Sequence, residues 1–166
     1  MTAVVYRFTS AWAIAAGLVL VSIVLVTVTN VGAFTLDRVL AFADIDVQGL
    51  PGYEDYVRLA VSCAALMFVP WCQARRGHVA VDFFIEMMPS PVQRALDKLW
   101  LSLTVILALF LAFTMTIGMM ETYSDNELSR VLGWPNWPFY LPGIVSMALW
   151  AMVAALQLCG RERANV

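Results

Sequence analysis

Residues 11–34 read AWAIAAGLVLVSIVLVTVTNVGAF, a run of 24 residues without a single charged side chain. An α-helix rises about 1.5 Å per residue, so this run is long enough to cross the hydrocarbon core of a bilayer, which is about 30 Å thick. A secretory signal peptide is the competing interpretation, because Arg7 precedes the run. The apolar part of such a signal is normally only about 7 to 15 residues long, so we expect a membrane span that is retained.

Three more apolar runs follow the first one. The sequence predicts a second span at about 57–74, a third at about 99–120 and a fourth at about 139–158. Hydrophobic residues make up 61% of the chain and charged residues only 13%, whereas soluble domains carry roughly 25% charged residues. We therefore expect an all-α membrane protein, a single domain over residues 1–166 with four transmembrane helices.

The segment between the second and third spans has a regular pattern of polar residues. His78, Asp82 and Glu86 recur every fourth residue, and most positions between them are apolar. A helix places such residues on one narrow polar face, and about 78–88 is too short to cross a bilayer. We expect a short amphipathic interfacial helix there, lying on the membrane surface or on a partner protein. The serine–proline pair at 90–91 predicts the start of the next helix.

The basic residues divide unequally between the two sides of the predicted membrane. Seven of them share one side: Arg7, Arg75, Arg76, Arg94, Lys98, Arg161 and Arg163. The other side has only three: Arg38, Arg58 and Arg130. Lysine and arginine are retained on the cytoplasmic side of bacterial membranes. We therefore expect a multi-pass protein of the bacterial inner membrane with both termini in the cytoplasm.

The acidic residues have the opposite distribution. Eight of the twelve belong to the predicted external side: Asp37, Asp44, Asp46, Glu54, Asp55, Glu121, Asp125 and Glu127. The net charge of the whole chain is only -2. Neither nucleic-acid binding nor attachment through a polybasic surface is indicated by that balance.

No pattern in the sequence indicates catalysis or a cofactor. The three cysteines lie within or at the end of apolar runs and form no CxxC pair, which favours packing over a disulfide or a zinc site. The chain has one histidine, His78, whereas a bis-imidazole haem site needs two. Nucleotide-binding fingerprints are absent. We expect no enzyme, no cofactor and no metal site. A membrane-embedded electron-transfer or enzyme accessory subunit, and a self-sufficient small carrier, stay open as alternatives.

Several motifs occur together along the chain. The run Arg75-Arg76-Gly77-His78-Val79-Ala80-Val81-Asp82 follows the second span, the acidic pair Glu54-Asp55 precedes it, and Leu132-Gly133-Trp134-Pro135 opens the fourth. Arg38 follows the first span. With these motifs the chain resembles, over nearly its whole length, the small membrane subunit of tripartite ATP-independent periplasmic (TRAP) transporters, the DctQ-like family. One departure is Gly52-Tyr53, where such proteins often have a tryptophan.

The resemblance implies a small permease subunit that acts as a scaffold. It would assemble with a large permease subunit, which carries the substrate and sodium sites, and with a periplasmic substrate-binding protein that delivers small organic acids. Membrane lipids would surround it. The resemblance and the polar pattern suggest candidate residues of the partner interface: Arg38, Glu54, Asp55, Arg75, Gly77, His78, Asp82 and Glu86.

The external acids are a second candidate set, for docking of the periplasmic protein: Asp44, Asp46, Glu121 and Asp125. Charges of this kind mainly affect encounter rate and orientation. A simpler interpretation stands beside each set. The basic residues at 75–76 then only set the topology, and the acidic residues only keep loops and helix faces hydrated.

Overall fold

The computed structural model describes residues 2–40, 49–75 and 90–159. These residues form four long helices: α1 Thr2–Leu40, α2 Tyr53–Ala74, α3 Ser90–Ser124 and α4 Tyr140–Leu158. A 3₁₀ turn, Trp137–Phe139, leads into α4. All four helices are long and apolar enough to cross a membrane. The predicted all-α fold with four membrane-spanning helices is confirmed to this extent.

The first three helices are longer than the predicted spans, and the fourth agrees with its prediction to within one residue. α1 continues through residues 35–40, beyond the end of the predicted first span at residue 34. Thr35 Oγ1 in this part of the helix donates to the Val31 carbonyl at 2.8 Å. α2 begins at Tyr53, a few residues before the predicted span. α3 begins at Ser90, where the serine–proline pair predicts a helix start. The predicted amphipathic helix at about 78–88 lies outside the described residues.

The helices pack in a row in the order α1, α2, α4, α3. Side-chain contacts show how the helices are aligned along their axes. Gln73 on α2 forms a hydrogen bond with Gln157 on α4. The Tyr123 ring at the end of α3 lies 5.7 Å from the Trp137 ring. The first turn of α2, the end of α3 and the 3₁₀ turn before α4 therefore lie at one level. We call this level, marked by Tyr53, Ser124 and Trp137, the hairpin end, and the level of Ala74 and Leu158 the opposite end.

The two outer helices extend past this row in opposite directions. α3 has 35 residues, so roughly a dozen of them, on the order of 18 Å of helix, project beyond the opposite end. α1 meets the first turn of α2 where Ser22 and Tyr56 share a hydrogen bond, and it then continues past the hairpin end to Leu40. There the buried Asn30 side chain accepts a 2.8 Å hydrogen bond from the Leu50 amide.

Small residues let the inner helices approach closely. A side chain at Gly143 of α4 would collide with Met115 of α3, and its Cβ would lie 2.9 Å from Leu66 Cδ1 of α2. Three helices therefore converge on this one glycine. Close backbone approach at small residues is the usual basis of helix packing in membranes, where apolar burial between helices gives little driving force.

Candidate functional site at the hairpin end

The structure separates the predicted site residues. Asp44, Asp46, Gly77, His78, Asp82 and Glu86 lie outside the described residues. The described members lie mostly at or beyond the hairpin end: Arg38, Glu54, Asp55, Glu121 and Asp125. Arg75 follows α2 at the opposite end. The described candidates thus belong to two regions at opposite ends of the molecule.

Asp55 is the only acidic side chain among the described residues that is buried, with 6% of its surface exposed. Its Oδ2 accepts hydrogen bonds from the backbone amides of Val131, at 2.7 Å, and Leu132, at 3.3 Å. Hydrogen bonds to an ionised carboxylate are shorter and stronger than those between neutral groups. Asp55 therefore fastens the loop between α3 and α4 onto the first turn of α2.

That loop has its own set of internal hydrogen bonds. The Ser129 amide donates to the Trp134 carbonyl at 2.7 Å, and the Trp134 amide donates to Ser129 Oγ at 3.2 Å. Further along, the Asn136 amide donates to the Glu127 carbonyl at 3.1 Å. Residues 125–136 therefore fold back on themselves, and we call them the 125–136 hairpin.

Gly52 allows the hairpin to come this close. Its φ of 77° lies in the left-handed region, which disfavours residues with a side chain. A Cβ on Gly52 would also lie 2.6 Å from Leu132 Cγ, which is closer than side-chain carbons approach each other. Gly52, one of the two residues at the departure noted in the sequence, therefore has a structural role in this chain.

The two residues of the acidic pair Glu54-Asp55 differ in exposure. Asp55 is bonded within the chain, whereas the neighbouring Glu54 is exposed. Glu121 and Asp125 are exposed as well. Arg38 is exposed on the part of α1 that extends beyond the hairpin end. Glu54, Glu121 and Asp125 can therefore meet another molecule, while Asp55 can act on one only through the hairpin that it holds.

A buried polar cluster at the opposite end joins α2 to α4. Gln73 Nε2 donates to Gln157 Oε1 at 2.8 Å, and Gln157 Nε2 donates back to the Gln73 carbonyl at 3.0 Å. Trp150 Nε1 completes the cluster by donating to Gln73 Oε1 at 3.1 Å. Nearby, the exposed Arg75 guanidinium lies 4.7 Å from the centre of the Trp71 ring, in reach of a cation–π interaction.

Several of these residues carry little signal in the sequence. The glutamines look like ordinary polar residues at the ends of apolar runs, and Ser129 and Gly52 look like loop residues. A usable signal was present only for Gly52, since glycine directly before a helix often adopts an unusual backbone conformation. Among the three cysteines, Cys63 is buried and donates to the Phe139 carbonyl, whereas Cys159 is exposed. Across residues 2–40, 49–75 and 90–159, no group of three or more potential ligand side chains could hold a metal ion.

Comparison with known proteins relates the chain to one family. Residues 45–164 match the family model of the DctQ component of tripartite ATP-independent periplasmic transporters, and the match covers most of the chain. The chain belongs to the DctQ family. The match confirms the resemblance seen in the sequence. The chain is a small permease component of a TRAP transporter, and it has membrane-spanning helices. No curated protein matched the chain, and no solved structure did either.

The matched range includes α2, α3, α4 and the 125–136 hairpin. The part of the DctQ chain that fastens the hairpin to α2 therefore falls within the family match, whereas α1 precedes it. DctQ proteins are transporter components and not an enzyme family. The alternative of an electron-transfer or enzyme accessory subunit is not supported by this match.

Proposed function

We propose that this DctQ chain is the small permease subunit of a sodium-coupled TRAP transporter that imports small organic acids across the bacterial inner membrane. It assembles with a large permease subunit, which carries the substrate and ion sites, and a periplasmic binding protein supplies the substrate. The observation that carries the proposal is the family match over residues 45–164. The distribution of basic residues supports cytoplasmic termini and a periplasmic hairpin end.

The single row of helices supports a bracing role. In a compact bundle every helix buries part of its surface against several others, but here α1 and α3 each have one main neighbour. Large apolar side chains on both outer helices stay exposed, including Leu25 and Val28 on α1 and Phe110 and Phe113 on α3. A row of this kind offers wide surfaces that can contact lipid on one side and a large subunit on the other.

The polar pattern at residues 75–86 is the proposed cytoplasmic contact with the large subunit. Arg75, Gly77, His78, Asp82 and Glu86 form this set, and Arg75 is exposed at the end of α2. On the periplasmic side, Arg38 and Glu54 are exposed and available for contact with a partner. We assign Asp55 an indirect part, because its carboxylate is bonded to the hairpin.

Co-expression with the large permease subunit of the same transporter tests the proposal. An affinity tag on the DctQ chain should recover the large subunit, and liposomes that hold both should take up a labelled organic acid only with the binding protein and a sodium gradient. Liposomes with the DctQ chain alone should take up none. Uptake by the DctQ chain alone would contradict the scaffold role.

The proposed cytoplasmic contact has a matched pair of variants. The double change His78→Ala and Asp82→Ala should reduce recovery of the large subunit while the thermal unfolding temperature of the DctQ chain in detergent changes little. Asp97→Ala, an exposed position on the projecting part of α3, is the control and should leave recovery unchanged. Equal loss of recovery and of thermal stability would return residues 78–82 to a structural role.

A further inference from the structure

The 125–136 hairpin exposes three large apolar side chains. Leu128 is 56% exposed, Val131 63% and Trp134 43%. Grouped apolar side chains on a protein surface indicate contact with another molecule or with a membrane. The height of the hairpin relative to the membrane distinguishes these possibilities.

Asp55 and Gly52 hold the hairpin at the first turn of α2. α2 has 22 residues, which is about 33 Å of helix and only slightly more than the hydrocarbon core of about 30 Å. A helix of that length has its first turn at the boundary between the hydrocarbon and the lipid headgroups. Val131 and Leu132 are bonded to that turn, so the length of α2 favours a position for them in the headgroup layer.

Aromatic residues mark the same level. Tyr123 and Trp137 form an edge-to-face pair there, and Trp134 and Tyr140 lie close by in the chain. Tyrosine and tryptophan are enriched at headgroup depth, since their rings are apolar and each carries a polar group. Exposed apolar side chains continue from the adjoining helix turns, with Met120 on α3 and Leu141 on α4. Exposed apolar side chains therefore occur both on the hairpin and on the two helices that it joins.

We propose that the 125–136 hairpin is an interfacial anchor that binds the headgroup layer of the lipid leaflet at the hairpin end. Leu128, Val131 and Trp134 insert among the lipids. Bonding to Asp55 makes the anchor rigid, so it fixes the depth of α2, α3 and α4 together. This inference needs only the membrane-spanning helices and goes beyond the proposed transport function.

Spin labels report the depth directly. Single cysteines replace Leu128, Val131 or Trp134 in the full-length chain, with Cys63, Cys72 and Cys159 changed to alanine, and the labelled chain enters nanodiscs that contain phosphatidylethanolamine. Collision with oxygen, which concentrates in lipid, is compared with collision with a water-soluble nickel chelate. Phe113→Cys, exposed on the middle of α3, is the lipid control, and Asp97→Cys is the water control.

If the hairpin is an anchor, labels at two or more of its three positions should collide preferentially with oxygen. Their ratio of oxygen collisions to nickel collisions should be several-fold above that of the Asp97→Cys label. Arg130→Cys keeps all three apolar side chains, so it controls for disturbance of the hairpin by a label at one of them. Its oxygen-to-nickel collision ratio should lie between those of the two controls. Ratios equal to that of the Asp97→Cys label at all four positions would place the hairpin in water. Exclusion of both reagents would mean that protein covers it, and either result overturns the proposal.

Discussion

Asp55 and Val131 are 76 residues apart in the chain, yet the Asp55 carboxylate accepts the Val131 amide at 2.7 Å. This single carboxylate connects the start of α2 to the loop that joins α3 and α4. A buried carboxylate without hydrogen-bond partners is costly. The two backbone amides that donate to the Asp55 carboxylate are therefore consistent with its burial. The relative position of three helices at the hairpin end therefore depends on a contact that no local pattern in the sequence reveals.

Replacing Asp55 tests this connection. Asp55→Ala removes both acceptor bonds and leaves two amides without a partner, so the hairpin should detach and become open to protease between residues 125 and 136. Asp55→Asn keeps an acceptor oxygen but loses the charge, so it should give an intermediate cleavage rate. Glu54→Gln, at the exposed neighbour, is the matched control and should cleave like the unchanged chain. Limited proteolysis in detergent measures the cleavage rates of the variants. Equal rates for all three variants would count against the connection.

The helices could be predicted from the sequence because apolar run length is a local property. The uncharged run at 11–34 and the serine–proline pair at 90–91 each indicate a helix without knowledge of its neighbours. The order of the row could not be predicted in that way. It depends on which small and polar residues meet across helices, such as Gly143 with Met115 and Gln73 with Gln157.

The site was predictable only as a list of exposed charges. Glu54, Glu121 and Asp125 are on the surface as the acidic distribution suggests. Asp55 belongs to the same set of predicted external acids, yet its side chain is buried. The difference arises because Gly52 lets the 125–136 hairpin approach α2, and a contact between segments so far apart in the chain leaves no periodic signal.

The glutamine pair at the opposite end should behave as a coupled unit. Gln157→Leu removes two hydrogen bonds and leaves polar atoms of Gln73 unpaired, so the free energy of unfolding should fall by about 1 to 2 kcal/mol. Gln73→Leu should cost a similar amount. The double variant should cost less than the sum of the two, because no unpaired amide then remains. Thermal and denaturant unfolding in detergent, analysed as a double-mutant cycle, measures the coupling, and strict additivity would contradict it.

Gly143 should tolerate almost no added volume. A Cβ there meets the Met115 methyl group, which is the flexible end of a side chain, and Leu66 Cδ1 at 2.9 Å. Gly143→Ala should therefore be mildly destabilising, and Gly143→Val should cost about 1 to 3 kcal/mol, in the range for overpacked cores. Gly118→Ala is a matched control, since its added Cβ would lie at an ordinary 3.4 Å from Tyr140. Equal stability of the Gly118 and Gly143 variants would show that the three helices do not converge as described.

The proposed orientation can be tested by cysteine labelling in cells. In a background without Cys63, Cys72 and Cys159, an impermeant reagent added outside should modify a cysteine at Asp125 but not one at Ala80. Positive charge at residues 75–98 is the physical reason, since it retains that segment in the cytoplasm. Disruption of the membrane should make Ala80→Cys reactive, which controls for accessibility. The reverse labelling pattern would mean that the hairpin end is cytoplasmic.

The last prediction concerns the negative surface at the hairpin end. Glu121 and Asp125 are exposed there, and Asp44 and Asp46 belong to the same predicted external side. Long-range attraction between charges raises the association rate of proteins and is screened over a Debye length of about 8 Å at physiological ionic strength. Neutralising the four acids with asparagine or glutamine should therefore slow association of the periplasmic binding protein with the assembled transporter. It should also flatten the dependence of that rate on salt, while the dissociation rate changes little.

Stopped-flow or surface-binding kinetics across a salt series measures both effects. Asp97→Asn, at the other end of the molecule, removes one exposed acid and should leave the salt dependence unchanged. The hairpin itself stays in place in these variants because Asp55 is not altered. A slower association that keeps its full salt dependence would point to a local structural change and not to steering. Unchanged association across the series would show that the four acids only keep the surface hydrated.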